Sequence, residues 1–271
     1  MGRMYAVVNQ KGGVGKTTTA VNLATYMALA GAKILLVDLD PQGNATSGLG
    51  IDKKSVELST YDVLIEGKPI ADAVRATNIV NLSLLPATLD LAGADLALMP
   101  MVSRETRLRQ ALAPAREYFD IVLIDAPPSL GLLTLNALVA AEAVLIPIQT
   151  EYYALEGISQ LLQTIELVQR HLNPTLDIAK VILTMYDNRT RLGNQVVEDV
   201  RAFFKEKVSP TIVPRNVRLS EAPSHGLPIA LYDPKSRGAS AYRDIAHEVL
   251  RNGKELLRPA GHTDGGIRTG G

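Results

Sequence analysis

The sequence predicts an α/β fold: one doubly wound, mainly parallel sheet with helices on both faces. Three observations carry that expectation. About seven short apolar runs alternate with segments of helical periodicity, with no internal repeat or domain linker among them. Apolar residues make up 46% of the 271 residues and aromatics 4%, without a single Trp, which suits the aliphatic core of a sheet buried on both faces. The first apolar run leads into a glycine-rich loop that opens a helix, at the strand end where open α/β sheets hold their ligands. Residues 1–257 read as one domain, and the Gly-rich residues 258–271, which lack an apolar stripe, as a disordered tail.

Composition narrows the function. With no cysteine, disulfides, thiolate zinc sites and thiolate-bound iron–sulfur clusters are excluded. No run of about eighteen apolar residues occurs, and the N-terminus enters a strand without a signal-peptide pattern, so the chain reads as cytoplasmic. The 28 basic and 28 acidic residues cancel, but unevenly along the chain. Residues 1–179 hold 13 Lys/Arg against 18 Asp/Glu, and residues 180–258 hold 14 against 9. That asymmetry predicts a basic surface toward the C-terminus and a polyanionic partner.

Tyr5 to Asn9 is a buried strand by its apolar, β-branched content. Gln10-Lys11-Gly12-Gly13-Val14-Gly15-Lys16-Thr17-Thr18 follows, and Thr19 to Ala30, stopped by Gly31, is the first helix. Strand, loop and helix in this order form the phosphate cradle of P-loop NTPases. Glycines let the loop N–H groups face an anion, and the helix N-terminus adds roughly half a positive charge there. Lys16 then reaches the β- and γ-phosphates, and the Thr17 hydroxyl ligates Mg2+. The usual pattern has Gly where this chain has Gln10, and Lys11 is a second lysine at the front of the loop. Lys16 already serves the chain's own nucleotide, so Lys11 suits one held by a second subunit.

Lys33 to Asp38 is the second strand and runs into Asp38-Leu39-Asp40-Pro41-Gln42-Gly43-Asn44. If this strand neighbours the first, its two carboxylates face the ligand crevice, to orient an attacking water or to stand behind Mg2+. Residues 43–58 read as loop, Ser59–Ile65 and Ile70–Ala76 as short helices, and Leu82–Pro86 as a strand. Asp90–Leu98 and Ser103–Tyr118 have helical spacing. Asp120–Asp125 is the most hydrophobic strand that ends in an acid, which is the carboxylate expected to support Mg2+ through water. Ala126-Pro127-Pro128-Ser129 is a stiff loop suited to sensing a γ-phosphate, and a helix over Leu130–Ala141 and a strand over Ala143–Gln149 follow. A long amphipathic helix covers 152–172, a strand Ile178–Thr184, a helix Asn194–Lys207, a final strand Thr211–Pro214 and a last helix Ala239–Leu257. His225 stands alone in a Pro/Gly loop with no acid or nucleophile spaced to it, which favours a structural role.

Taken together, these motifs resemble the ParA/Soj family of deviant Walker A chromosome- and plasmid-partitioning ATPases. The stretches that carry the resemblance are Lys11–Thr18, Asp38–Asn44, Ile124–Ser129 and Ile212–Gly226, in the family's order, over about residues 3–257. The resemblance implies that ATP, with Mg2+, closes two subunits into a homodimer. It implies that Lys11 contacts the phosphates of the opposite subunit's ATP while Gly12, Gly13, Val14, Gly15, Lys16, Thr17 and Thr18 serve their own. Asp40 would position the attacking water, Asp125 would support Mg2+, and Pro214 and Asn216 would lie against the adenine. The dimer would bind double-stranded DNA without sequence preference, on the nucleoid, until a ParB-type centromere-binding protein stimulates hydrolysis. Arg189 and Arg218, then Lys235 and Arg237, are the phosphate-contact candidates. A membrane-associated MinD-type positioning ATPase shares the loop but ends in a basic amphipathic helix, which the tail from Pro259 to Gly266 cannot form. Of the metabolic enzymes with this loop, the reductase needs cluster cysteines, and the ligase should carry a substrate-specific lysine set not identifiable here.

Overall fold

The computed structural model describes residues 2–151 and 155–255. The expected disordered tail, and the last two residues of the expected C-terminal helix, lie outside the described residues. The strands are β1 (Arg3–Val7), β2 (Ile34–Asp38), β3 (Arg75–Ala76), β4 (Leu82–Leu85), β5 (Ile121–Asp125), β6 (Ala143–Gln149) and β7 (Asp177–Thr184). The helices are α1 (Lys16–Leu29), α2 (Asn44–Gly48), α3 (Ile70–Ala73), α4 (Ala94–Leu98), α5 (Arg107–Leu112), α6 (Ala115–Tyr118) and α7 (Leu132–Ala140). They continue as α8 (Glu156–His171), α9 (Arg191–Phe204), α10 (Val217–Glu221), α11 (Ile229–Tyr232) and α12 (Arg237–Glu255).

The seven strands form one sheet in the order β3-β4-β2-β5-β1-β6-β7, parallel except for β3 against β4. The expected doubly wound, mainly parallel sheet is therefore present. Its core divides by the two-residue period of the strands. Met4, Ala6, Leu35, Val37, Val122, Ile124, Val144 and Ile146 face one layer, with α7 and α9. Tyr5, Val7, Ile34, Leu36, Ile121, Leu123 and Leu145 face the other, with α1 and α12.

One neighbour relation differs from expectation. β2 does not pair with β1, because β5 lies between them, with Asp125 opposite Val7 on one side and Asp38 on the other. The Asp38–Asp40 loop thus reaches the crevice across β5. Thr211–Pro214 is not a strand either: it touches the sheet's edge through an isolated bridge of Pro214 with Tyr186, and proline has no N–H for a ladder. The seventh strand is instead β3, the end of the stretch expected to be helical over Ile70–Ala76, and two residues are too short for periodicity to register.

Helix ends were displaced where capping decides them. α9 begins at Arg191 because the Thr190 hydroxyl accepts from Gly193 N at 3.2 Å, and it stops at Phe204 before a 3-10 turn. Residues 43–58 hold α2 and a 3-10 turn capped by Asp52, which accepts from Lys54 N at 3.0 Å. The expected helix Ser59–Ile65 is a single π-type turn, Asp62–Glu66, and Ser103–Tyr118 splits into a 3-10 turn, α5 and α6 around Pro114.

Two glycines join the loop after Asp40 to the segment after α10. Gly50 and Gly226 both have left-handed backbones, φ +78 and +64, and a Cβ on Gly226 would lie 2.8 Å from Gly50 Cα. The overlap is backbone on backbone, so no side chain can yield. Gly226→Ala is expected to destabilise the fold by about 2 kcal/mol or more, from left-handed strain plus overpacking. Urea unfolding checks it, as a lower midpoint at unchanged slope.

Candidate active site

The phosphate loop is fastened from several elements before any ligand arrives. Asn9 Nδ2 donates to Pro147 O at 2.7 Å, and Asn9 Oδ1 accepts from Lys11 N at 3.0 Å. Gln10, which stands where a glycine is usual, donates through Nε2 to Gly157 O at 2.7 Å and ties the loop to α8. The Thr184 hydroxyl at the end of β7 donates to Val14 O at 2.9 Å. Gly13 and Gly15 hold φ of +76 and +89, as the turn requires, and Gly15 caps α1 without a side chain, so its first N–H groups open on the cradle.

Lys16 and Lys11 are placed in opposite ways. Lys16 is buried, and its Nζ donates to Lys11 O at 2.9 Å. Desolvation holds its pKa below the ordinary lysine value, while the charges of Asp125 and Asp40 oppose that shift. Lys11 is exposed, and its ammonium has no ion-pair partner among the described residues.

Three carboxyl groups converge at the ends of β2 and β5. Asp38 is fully buried and accepts from Thr46 N at 2.8 Å, Thr46 Oγ1 at 2.7 Å and Asp40 N at 3.3 Å. Burial still pushes it up to about 6. Its bonds fasten the turn into α2, so its geometry is that of a scaffold. Asp40 is 7% exposed and accepts from Gln42 N at 2.9 Å. Asp125 is fully buried, and neither of its oxygens has a hydrogen-bond partner. Burial first, then the charge of Asp38, holds its carboxyl well above the usual range, against the Thr17 hydroxyl, the pull of Lys16 and a further push from Asp40. An orphaned buried carboxyl beside a threonine hydroxyl and a phosphate cradle fits a magnesium ion arriving with a nucleotide: Thr17 would ligate it, and Asp125 would hold its water.

On the far side of the loop a cavity of about 440 Å3 is lined by Gly15, Thr18, Met185, Pro214, Asn216 and Tyr242, among others. Both residues expected at the adenine are therefore in its wall. Asn216 Oδ1 accepts from Arg218 N at 2.9 Å and caps α10. Met185 has a left-handed φ of +53, an uncommon conformation for this side chain. Tyr242, pushed up to about 12 by burial, meets the Thr19 hydroxyl at 3.1 Å and joins α12 to α1. Another cavity, of about 640 Å3, opens at the opposite end of the strands around Lys33, Arg116 and Asp120, away from the phosphate loop.

The basic candidates divide. Arg189 is exposed and forks onto Asp187 at 2.9 and 2.6 Å, which holds the Asp187 carboxyl down at about 2. Arg218 pairs with Glu221 at 2.8 Å and Asp233 at 3.5 Å. Lys235 and Arg237 are exposed without an ion pair among the described residues. His225 is exposed and stacks on Tyr232 at 5.0 Å, in keeping with a structural role. Thr184, Tyr242, the place of Met185 in the cavity wall and the anchoring role of Gln10 were not singled out from sequence. No spacing signals a contact between Val14 and a residue 170 positions later.

The fold and this site define a P-loop ATPase. A family model described as an AAA domain matches residues 2–178. The chain is 58% identical to the sporulation initiation inhibitor protein Soj of Bacillus subtilis over 93% of its length and all of that protein. It is 53% identical to the chromosome partitioning protein ParA of Myxococcus xanthus, over 93% of this chain and 89% of that one. A solved structure of cobyrinic acid a,c-diamide synthase from Mycobacterium smegmatis, with bound ADP and magnesium, superposes with a TM-score of 0.84 at 40% identity, covering 94% of this chain and 97% of that chain. The chain belongs to the ParA/Soj family of chromosome-partitioning ATPases. ATP and Mg2+ are its cofactors, and the partitioning relatives match it better than the membrane-positioning alternative. No helix among the described residues is long and apolar enough to cross a membrane.

Asp125 gives a pH test. Its folded value and that of Asp38 lie above the ordinary carboxylate value, so the stability they contribute is full below about pH 4 and lost as pH rises through the folded values, about 6 for Asp38. Asp125→Asn cannot ionise. The nucleotide-free variant is expected to gain stability relative to the parent as pH rises from 5 to 8, while the extra stability conferred by Mg-ATP is lost. Thermal unfolding at both pH values, with and without Mg-ATP, checks both signs.

Proposed function

We propose that this ATPase acts as an ATP-closed homodimer in the cytoplasm. In that state it binds double-stranded DNA of the nucleoid without sequence preference, and it lets go after hydrolysis stimulated by a ParB-type centromere-binding protein. The observation that carries the reading is the pair of lysines in one loop. Lys16 is buried against the loop, and the Lys11 ammonium is exposed without an ion-pair partner among the described residues. A cation at the mouth of an anion site, where the local lysine is already supplied, suits phosphates that come from outside the subunit.

In this mechanism Gly12, Gly13, Val14 and Gly15 present N–H groups to the phosphates, and Thr18 lies beside them. Lys16 leaves the Lys11 carbonyl for the β- and γ-phosphates, a short move for a four-carbon stem. When bound, magnesium would neutralise phosphate charge. Thr17 and Asp125 would hold it, Asp125 from the space it shares with Asp38 and Asp40. Asp40 orients the attacking water from the other side of β5. Pro214 and Asn216 hold the adenine. None of these groups is a strong base, which suits slow turnover that waits for a partner. Residues 1–257 act as a single domain in this reading.

Lys16→Ala is expected to abolish ATP binding. Lys11→Ala should keep nucleotide affinity within about tenfold, a single contact's worth, and lose the ATP-induced dimer. Sedimentation equilibrium with a non-hydrolysable ATP analogue decides it, and a normal dimer from Lys11→Ala would sink the cross-subunit role.

For DNA, the support is the positive balance of residues 180–258 and the exposed Lys235 and Arg237 beside Arg218. Plain duplex should be held with ATP and released without it. With ATP, log affinity should fall with log salt at roughly −0.9 per phosphate neutralised, and Arg218→Ala or Arg189→Ala should each shallow the slope by about one unit on two unrelated duplexes alike. If these arginines serve only their own ion pairs, the slope stays unchanged.

A further inference from the structure

The residue before Lys11 has a side chain that a phosphate cradle does not require. The usual loop carries Gly at this place and still holds its own nucleotide, so the work of Gln10 lies elsewhere. Its amide nitrogen donates to Gly157 O at 2.7 Å, across 147 positions of sequence. A backbone carbonyl only accepts, so the tie needs a donor of this length. Gly157 stands in the first turn of α8, which the buried Ile158, Leu161 and Ile165 hold in the core.

The neighbours of Gln10 show what the tie secures. Asn9 donates to Pro147 O on β6 at 2.7 Å and accepts from Lys11 N at 3.0 Å. Residues 9–11 are thereby mounted on β6 and α8, whereas Lys16 opens α1. The two mounts meet where Lys16 Nζ donates to Lys11 O at 2.9 Å. Packing adds little at the front of the loop. Lys11, Gly12 and Gly13 are exposed, and a Cβ on either glycine would have no neighbour within 4 Å.

In the mechanism proposed above, Lys16 leaves the Lys11 carbonyl when phosphates arrive. Lys11 then loses one restraint at the moment it has to meet the other subunit. The ties made by Asn9 and Gln10 remain, and that of Gln10 is the one that reaches a helix. A long side chain on a loose loop gives up more conformational entropy in crossing an interface than one on a fixed loop. A loop held beforehand makes the same contact at lower cost.

We infer that Gln10 is a positioning residue for the closed dimer: its tie to α8 keeps Lys11 aimed out of its own subunit once Lys16 has gone to the nucleotide. The inference rests on the cross-subunit role of Lys11 proposed above. The test compares the full chain with Gln10→Met, which keeps the length and loses the donor, and Gln10→Gly, which restores the usual loop residue. Calorimetry reads Mg-ADP affinity, which needs no second subunit in this reading. Sedimentation equilibrium with Mg2+ and a non-hydrolysable ATP analogue reads the dimer. Mg-ADP affinity should stay within about threefold of the parent in both variants. The dimer should weaken roughly tenfold or more in both, because a symmetric pair loses the hydrogen bond twice. A variant dimer within twofold of the parent's, beside a Lys11→Ala chain that has lost its dimer, overturns the role of Gln10 alone. Mg-ADP affinity that falls in step with the dimer makes Gln10 a general fastener of the loop, which also overturns the inference. A parent that does not dimerise, or a Lys11→Ala chain that dimerises as the parent does, overturns the cross-subunit reading and this inference with it.

Discussion

A carboxyl group without a hydrogen bond lies where β5 separates β1 from β2, and the chemistry of the site is organised by that deficit. An unsatisfied buried polar group costs about 1–3 kcal/mol, and an isolated buried charge far more. At Asp125 burial and the charge of Asp38 hold the carboxyl well above the usual range, which favours its uncharged form and lessens the second cost. Asp38, one strand over, is solved differently, with three hydrogen bonds to its carboxylate and a role in fastening the next turn. Two aspartates at equivalent strand ends thus differ because one accepts three hydrogen bonds and the other, with the Thr17 hydroxyl near, accepts none of hydrogen-bond geometry. Lys16, desolvated on a backbone carbonyl, is the matching cationic deficit. In the proposed mechanism a magnesium–nucleotide complex would supply the charges each of them lacks, and ligand affinity would then be in part the relief of costs present beforehand.

The same loop is joined to distant parts of the chain by short covalent paths. Thr184 holds Val14, the next residue is the strained Met185 in the wall of the cavity that Pro214 and Asn216 line, and the next pairs through its backbone with Val213 and Arg215. Asp187 and Arg189 follow at once. The six residues Thr184–Arg189 therefore run from the phosphate loop, past the cavity lined by Pro214 and Asn216, to the exposed Arg189. A residue held at positive φ has two discrete alternatives rather than a soft range, and such an element is able to carry a change of state.

Much of this was legible in the sequence because periodicity and glycine spacing report local backbone. The cradle from Lys11 to Thr18 and the acid-ended run to Asp125 were read there, while Pro214 and Asn216 came from the family resemblance and line a cavity that Gly15 and Thr18 also line. Strand order was not legible: β5 between β1 and β2 is a tertiary choice that neither run encodes. Thr211–Pro214 looked like a strand because its composition is right, yet a proline at its end and a neighbouring loop leave it only a bridge. Short elements such as β3 and α2 fall below the length at which a period repeats. Gln10 appeared only as a departure from a pattern, since its partner Gly157 lies far along the chain.

Arg189 and Arg218 already have acidic companions within their own chain. A cation in that position trades one anion for another when it meets a polyanion, so its contribution to holding on is a difference between two similar terms. Such a surface is suited to brief residence and frequent rebinding, with many weak encounters averaged over a long polymer. Mobility along the polymer would then follow from the ion pairs themselves.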